Sequence, residues 1–178
     1  MKRVLSKSEM IDLWLLRKGF EPLGVDGSVV RTDGIDLRRA AEEEIRVWYA
    51  RLLDEAPAEW LAPMDYALQT TATPTADGRV VLTLPAQCRR LLSLRLSPWA
   101  EDALLVAPDS PEAMRQGNPL WRSGAVRPVA VVSGHRVLVN KPAGSFEVEE
   151  VLGVAEPTGM SYAFDDAALD NKLFNNEL

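Results

Sequence analysis

His135 and Cys88 are the first residues to test for catalysis, because the sequence holds one histidine and one cysteine. Histidine is the commonest general base near neutral pH, and a cysteine thiolate is a strong nucleophile. His135 follows a Ser-Gly pair that predicts a hairpin tip, and no serine, aspartate or cysteine stands at a spacing that indicates a triad. Cys88 lies beside Arg89 and Arg90, which could lower a thiol pKa, but a lone cysteine next to two leucines is typical of a small buried residue. Neither residue predicts a catalytic site.

Two runs of glutamate could hold a metal ion if their carboxylates converged. Residues 42–44 are all glutamate and fall in a helical pattern, where consecutive side chains point about 100° apart, so we interpret them as a solvated face. Glu147, Glu149 and Glu150 fall in a predicted strand, where the first two share one face and leave a cation site as an open alternative. One cysteine and one histidine cannot build a zinc site from thiolates and imidazoles. We therefore predict no catalytic residue, no metal site and no cofactor.

The chain has five tryptophans, which is many for 178 residues. Two interpretations stay open for them: packing in a core, or anchoring a protein interface. Trp48 stands centrally on the apolar stripe of the longest predicted helix, so we assign it to the core. The others are candidate interface residues: Trp14, Trp60, Trp99 and Trp121.

Residues 35–56 give the clearest structural pattern in the sequence. Apolar residues at three- and four-residue spacing predict one buried helical stripe: Leu37, Ala41, Ile45, Trp48, Tyr49, Leu52 and Leu53. Asp36 offers an N-cap carboxylate, and Pro57 predicts the end of the helix. A shorter helix is predicted from a cap at Ser6 or Ser8 to about Lys18. A turn-rich connection joins the two as a helical hairpin and contains Gly24, Gly27 and Gly34.

After Pro57 the apolar period falls to two, which indicates strands. The predicted strands are Tyr66–Thr73, Arg79–Leu84, Leu94–Leu96, Leu104–Val106, Val126–Val132, Arg136–Asn140 and Ser145–Val154. The Asp77-Gly78 pair predicts a hairpin turn, Ala86–Leu92 a helical turn, and Pro111–Gln116 a short helix. From residue 147 onward there are eight acidic side chains and one lysine, and Phe164–Leu173 is predicted as a short acidic helix.

These elements predict an α+β fold in three segments. Residues 1–62 form an N-terminal helical hairpin, residues 63–156 a small antiparallel β-sandwich or bent sheet, and residues 157–178 an acidic C-terminal tail. Apolar residues make up 47% and charged residues 26%, as in soluble globular domains. No apolar run approaches the roughly 18 residues of a spanning helix, and no secretory signal is evident. We therefore expect no membrane partner, and a location in the cytosol or in an assembly built there.

The charge distribution bears on nucleic-acid binding. The net charge is −6, and residues 101–178 hold 12 acidic against 6 basic side chains, whereas residues 1–100 hold 14 of each. A negative body repels phosphates, so specific nucleic-acid binding is not expected.

The segment Leu84–Leu96, Leu-Pro-Ala-Gln-Cys-Arg-Arg-Leu-Leu-Ser-Leu-Arg-Leu, resembles bacteriophage head-to-tail connector, or adaptor, proteins of the tail-tubular kind. In that family a strand ends at Leu-Pro, a short helical turn follows, and the next strand runs outward. The segments Arg127–Val132, Val137–Pro142 and Phe146–Val154 are similar to the closing strands of the same family. The resemblance spans residues 36–155 and implies a helical part before a β-rich domain. It also implies a non-enzymatic subunit that contacts a portal or tail ring and joins a homo-oligomeric ring around a DNA channel.

Three hypotheses about function follow. The first is a phage or prophage virion assembly protein, assembled in the bacterial cytoplasm, with portal or tail proteins as partners. The second is a small β-sandwich module of a bacterial host that binds a small molecule or peptide and stays in the cytoplasm. An enzyme is the third, and it is disfavoured because the sequence lacks a paired acid and base with a nucleophile or metal. A pocket of converging polar groups would favour the second hypothesis, and a flat or convex surface with extended loops the first.

Overall fold

A computed structural model describes residues 1–19, 36–118, 120–121 and 126–170. The elements in chain order are β1 (Lys2–Ser6), α1 (Lys7–Arg17), α2 (Leu37–Glu55), β2 (Met64–Asp65), β3 (Thr71–Pro74), β4 (Arg79–Thr83), β5 (Cys88–Leu96), β6 (Leu104–Val106), α3 (Pro111–Gln116), β7 (Val129–Ser133), β8 (Arg136–Asn140), β9 (Val148–Ala155), β10 (Ser161–Asp165) and α4 (Ala167–Asp170). Contacts divide the chain into two compact units. We name them the helical unit (Met1–Ala62 with Pro157–Leu178) and the sandwich unit (Pro63–Glu156).

The helical unit is built around α2. Asp36 caps this helix by accepting hydrogen bonds from the backbone N–H groups of Arg38 and Arg39, and the helix ends at Glu55, two residues before Pro57. All seven positions of the predicted stripe are buried: Leu37, Ala41, Ile45, Trp48, Tyr49, Leu52 and Leu53. The prediction of this helix and its buried face is confirmed.

The first helix, α1, begins at Lys7, and Ser6, one of the two predicted caps, occupies its N-cap position. Ser6 Oγ accepts a hydrogen bond from the Glu9 N–H, and the Glu9 carboxylate accepts one from the Ser6 N–H at 2.8 Å, so each residue satisfies the other's exposed donor. α1 packs against α2 through Trp14 and Trp48, whose ring centroids are 5.5 Å apart. The predicted connection between the helices, with Gly24, Gly27 and Gly34, lies outside the described residues.

The predicted helical hairpin and acidic tail are both wrong as separate segments, because a strand from each, β1 and β10, forms a two-stranded sheet. β1 pairs antiparallel with β10, which brings the two ends of the described chain together. Phe164, predicted to lie in a helix, is in β10 and fully buried, with its ring 5.3 Å from the ring of Trp48. The acidic composition pointed to a solvated helix, but buried Tyr162 and Phe164 alternate with a period of two, which is the pattern of a strand. Of the predicted helix, α4 covers Ala167–Asp170, and residues 171–173 lie outside the described part.

The sandwich unit contains two sheets, with strand orders β2-β9-β5 and β3-β4-β8-β7-β6. Buried residues of both sheets belong to one core cluster, with Leu82 and Val139 from the larger sheet and Leu94 and Val151 from the smaller. The unit is therefore a sandwich rather than a single bent sheet. The paired strands are antiparallel except β6 and β7, which are parallel, so the all-antiparallel prediction is wrong at this edge.

Two further segments of the sandwich unit differ from the sequence prediction. Instead of a helical turn over Ala86–Leu92, the Cys88 N–H donates to the Pro85 carbonyl at 2.9 Å and β5 begins at once. The ladder between β5 and β9 has register shifts within residues 88–93, so buried residues recur three apart and imitate a helical period. The first half of the predicted strand Tyr66–Thr73 is instead a 3₁₀ turn at Ala67–Gln69, and the strand begins only at Thr71.

Candidate functional site

Packing and turn geometry explain the positions of Cys88 and His135. The Cys88 side chain is buried in the sandwich core, and this burial raises the pKa of its thiol, which favours the less nucleophilic protonated form. The backbone of Gly153 on β9 passes so close that a Cβ built there would lie 2.6 Å from Cys88 Sγ. His135 is exposed at the tip of the β7–β8 hairpin, where its carbonyl oxygen accepts a hydrogen bond from the Leu84 N–H at 2.8 Å.

The glutamates of β9 meet an arginine side chain. Arg95 Nε lies 3.3 Å from the Glu149 carboxylate, Arg95 Nη1 lies 3.7 Å from Asp102, and Glu150 stands opposite Arg95 in the β5–β9 register. Glu147 is exposed just before β9 begins. A guanidinium thus supplies positive charge to these carboxylates. Within the described ranges, no three His, Cys, Asp or Glu side chains are grouped so that they could hold a metal ion.

The glutamates at 42–44 point in different directions and have different cationic partners, in order Lys7, Arg46 and Lys18. The third of them, Glu44, also accepts a hydrogen bond from the indole N–H of Trp14 at 2.9 Å. Burial alone raises the pKa of Glu44, but the hydrogen bonds from Lys18 and Trp14 outweigh burial, so this pKa lies below its ordinary value. Glu44 therefore links α1 to α2 and helps to hold the helical unit together.

A shallow cleft of about 640 Å³ lies in the helical unit, and its lining includes Lys7, Ser8, Arg38, Arg39 and Glu42. Lys7 pairs with Glu42, and Arg38 pairs with Asp12 at 2.8 Å. Polar groups do converge in this cleft, but to a large extent they form ion pairs with one another.

The four candidate interface tryptophans differ widely in exposure. Trp14 and Trp99 are 5% and 7% exposed and belong to the cores of the helical and sandwich units respectively. Trp60 is half-buried, whereas Trp121 is 71% exposed. A buried ring stabilises the fold, but an exposed ring can anchor a partner protein. Trp121 is therefore the best placed of the four for binding.

Leu120 and Trp121 stand side by side just after α3, in what we name the Leu120–Trp121 turn. The Asn118 side-chain oxygen accepts a hydrogen bond from the Leu120 N–H, and the Asn118 carbonyl accepts one from the Trp121 N–H, both at 3.0 Å. Leu120 is 90% exposed. In the sequence, Trp121 stands out as a candidate interface residue and Leu120 does not, although the Asn-Pro pair before Leu120 is a turn signal that presents the next residues to solvent.

The two units differ in net charge. The helical unit has 16 acidic and 11 basic side chains, a net charge of −5, and the sandwich unit has 10 and 9, a net charge of −1. In the sequence, the excess of acidic over basic side chains lies within residues 101–178. In the fold, Asp165, Asp166 and Asp170 pair with cations at the other end of the chain, respectively the Met1 amine, Arg3 and Arg17. The acidic excess therefore belongs to the helical unit.

Comparison with protein-family models, curated proteins and solved structures finds no match for this chain. None of the helices in the described part of the chain has the length and hydropathy needed to cross a membrane.

Proposed function

We propose that this chain is a non-enzymatic virion assembly protein of a bacteriophage or prophage, similar to head-to-tail connectors or adaptors, that contacts a portal or tail ring. The observation that carries the proposal is the Leu120–Trp121 turn. Tryptophan is enriched among the residues that dominate binding energy at protein interfaces. An exposed leucine and tryptophan held on a hydrogen-bonded turn suit a subunit that docks on another protein.

The division of charge supports a role for each unit. The sandwich unit, with a net charge of −1, meets little electrostatic repulsion when it approaches a protein partner. The helical unit, with a net charge of −5, repels phosphates and suits a surface past which DNA must move without binding. We therefore assign docking to the sandwich unit and the channel-facing surface of a homo-oligomeric ring to the helical unit.

The proposal is tested by titrating the purified protein against portal and tail particles encoded in the same genome. We expect wild type to bind and Trp121→Ala to bind at least about 30-fold more weakly, as for a central anchor worth about 2 kcal/mol. The matched control is Leu16→Ala on α1, which removes an apolar side chain that is 55% exposed on the helical unit. This control should bind like wild type.

Three outcomes would contradict the proposal. Equal binding by Trp121→Ala and wild type would show that the Leu120–Trp121 turn is not the anchor. Failure of wild type to associate with any portal or tail component, or duplex DNA binding at about 150 mM salt that is much tighter than the non-specific range of roughly 10⁻⁴ M, would instead favour the small β-sandwich binding module of a bacterial host.

A further inference from the structure

The larger sheet of the sandwich unit has one end at which exposed cations gather. The register pairs Ala130 of β7 with Val139 of β8, so the start of β7 lies beside the end of β8. Arg127 comes two residues before β7, and Lys141 comes directly after β8. Because neighbouring strands lie about 4.8 Å apart, these two cations leave the sheet close to each other.

Helix α3 adds a third cation to this end of the sheet. The side-chain amide of Asn140, the last residue of β8, donates to the Gln116 side-chain oxygen at 2.8 Å. This hydrogen bond holds the C-terminal end of α3 beside the same end of the sheet. Arg115 immediately precedes Gln116, and its carbonyl accepts a hydrogen bond from the Asn118 N–H at 3.1 Å. The Leu120–Trp121 turn begins at Asn118, so it lies near the three cations.

Exposed apolar side chains lie at this end as well. Leu104, at the start of β6, is opposite Val129 in the register, and its N–H donates to the Pro128 carbonyl at 2.8 Å. Leu104 and Val126, two residues before Pro128, are both exposed. We name the surface formed by the three cations and the turn the basic end, and its residues are Arg115, Leu120, Trp121, Arg127 and Lys141.

The cations of the basic end have no carboxylate partner. Arg115, Arg127 and Lys141 are all exposed, and none of them forms an ion pair within the described residues. Glu112 lies one turn before Arg115 on α3 but does not pair with it in this part of the chain. Three other arginines of the sandwich unit do have carboxylate partners: Arg79 with Asp77, Arg89 with Glu156 and Arg95 with Glu149. The basic end therefore keeps an excess of positive charge, which an anionic group on a partner neutralises.

We propose that the basic end docks on an acidic protein surface that contains an apolar pocket. This inference rests on the docking role that the proposed function gives to the Leu120–Trp121 turn. The two apolar side chains of the turn fill the pocket, and the three cations pair with carboxylates around its rim. Protein interfaces commonly have an apolar core within a polar rim, and complementary rim charges speed the approach of the partner and fix its orientation.

The rest of the chain favours a protein over an extended polyanion as the partner. The net charge of the whole chain is −6, which repels duplex DNA. An anionic membrane presents negative charge over a wide area and meets the same repulsion. A protein surface can place a few carboxylates around one pocket, which satisfies the three cations without opposing the acidic remainder of the chain. The exposed aliphatic side chains at this end also suit an apolar pocket better than stacked bases, and they are Leu104, Leu120 and Val126.

Selection from a random peptide library identifies the preferred partner without any phage component. The full-length protein is immobilised, and the peptides that bind wild type but not Trp121→Ala are sequenced. We expect these peptides to be enriched in aspartate, glutamate and large apolar residues relative to the starting library. A set of neutral or basic peptides overturns the proposal, and so does the absence of any such peptide.

Charge variants test the three cations on the tightest-binding of these peptides. The double variant Arg127→Glu, Lys141→Glu should bind about tenfold more weakly at about 50 mM salt and less than about threefold more weakly at about 500 mM, where screening is stronger. Arg136→Glu is the matched control, because Arg136 is an exposed cation at the opposite end of β8. This control should bind within about twofold of wild type, as should Arg127→Lys, which keeps the charge. The affinity of wild type should itself fall as salt rises, a measurement that needs no variant.

Three results of these binding measurements overturn the proposal. The first is wild-type binding that does not change with salt. The second is equal weakening by Arg136→Glu and by the double variant, because the total charge of the chain would then explain the effect. The third is binding of wild type to duplex DNA, or to vesicles of phosphatidylcholine and phosphatidylglycerol, that the double variant abolishes.

Failure of this inference and failure of the proposed function give different results. If acidic apolar peptides are selected but no portal or tail particle is bound, the proposed function fails and the inference stands. If a particle is bound through Trp121 but the selected peptides are not acidic, the inference alone fails.

Discussion

The helical and sandwich units bury apolar surface in different ways. The core of the helical unit rests on aromatic rings that touch edge to face: Trp48 with Phe164 at 5.3 Å and Tyr49 with Tyr162 at 5.0 Å. The sandwich core is mainly aliphatic and fills the space between two sheets. A small helical unit gains large buried area from few aromatic residues, whereas two sheets gain it from many alternating aliphatic ones.

The units also differ in which parts of the chain form them. The sandwich unit is a continuous stretch, but the helical unit combines residues 1–62 with residues from 157 onward. Arg3 therefore pairs with Phe164 across a large sequence separation. Local pattern can find the elements of either unit, but it cannot reveal that the chain's last strand closes the first unit.

The aromatic core of the helical unit gives the largest expected effect. Trp48→Ala should lower the free energy of unfolding by about 3–5 kcal/mol, since it removes a ring that touches Trp14, Tyr49 and Phe164. Trp48 Nε1 has no hydrogen-bond partner within the described residues, so the loss is one of packing. Urea unfolding measures this change, and Val47→Ala on the exposed side of α2 should shift the free energy by no more than about 0.5 kcal/mol. Equal losses of unfolding free energy in the two variants would show that the aromatic core does not stabilise this unit.

The sandwich core should be sensitive to added volume instead. A Cβ at residue 153 would lie 2.6 Å from Cys88 Sγ and 3.0 Å from the Arg90 carbonyl oxygen, so Gly153→Ala should destabilise the protein by about 1–3 kcal/mol. Cys88→Ala removes the sulfur but not the carbonyl, and should therefore rescue part of the loss in the double variant. A fully additive double variant, measured by the same unfolding experiment, would contradict this contact.

Sequence patterns predict elements where one period runs unbroken. Seven stripe positions of α2 follow a single helical period, and all are buried. The first part of β5 has the pattern of a helical turn, because register shifts space its buried residues Cys88, Leu91 and Leu94 three apart. The acidic composition around β10 favours a helix and obscures the alternation of Tyr162 and Phe164. Composition indicates how well a segment is solvated, whereas periodicity indicates which face is buried. For β10, periodicity predicts the observed structure and composition does not.

The candidate site was predictable only in part. Trp14 and Trp121 are equally plausible anchors in the sequence, because exposure depends on what packs over each ring. Trp14 is covered by α2, whereas Trp121 follows the end of α3 and remains exposed.

Acid should weaken the helical unit through Glu44. The pKa of Glu44 lies below its ordinary value of 4.5, so its contribution is present above pH 4.5 and is lost as the pH falls through the lower folded-state pKa. The Glu44 side chain is 46% exposed, and a solvent-screened contact of this kind contributes less than about 1 kcal/mol. Glu44→Gln should therefore be slightly less stable than wild type at pH 7, and the difference should shrink toward pH 3. A constant difference, measured by thermal unfolding across this range, would exclude the carboxylate as its source.

The smallest expected effect on stability is at Trp121. Its ring is 71% exposed, so Trp121→Ala should change the free energy of unfolding by no more than about 0.5 kcal/mol, against about 3–5 kcal/mol for Trp48→Ala. Fluorescence separates the two rings as well, because a solvated indole emits at longer wavelength and is quenched more readily by acrylamide than a buried one. Trp121→Ala should thus remove the long-wavelength, quenchable part of the emission and leave the melting curve in place. A clear loss of stability would mean that Trp121 packs on the sandwich unit, and the anchor on which the proposed docking depends would then be part of the fold.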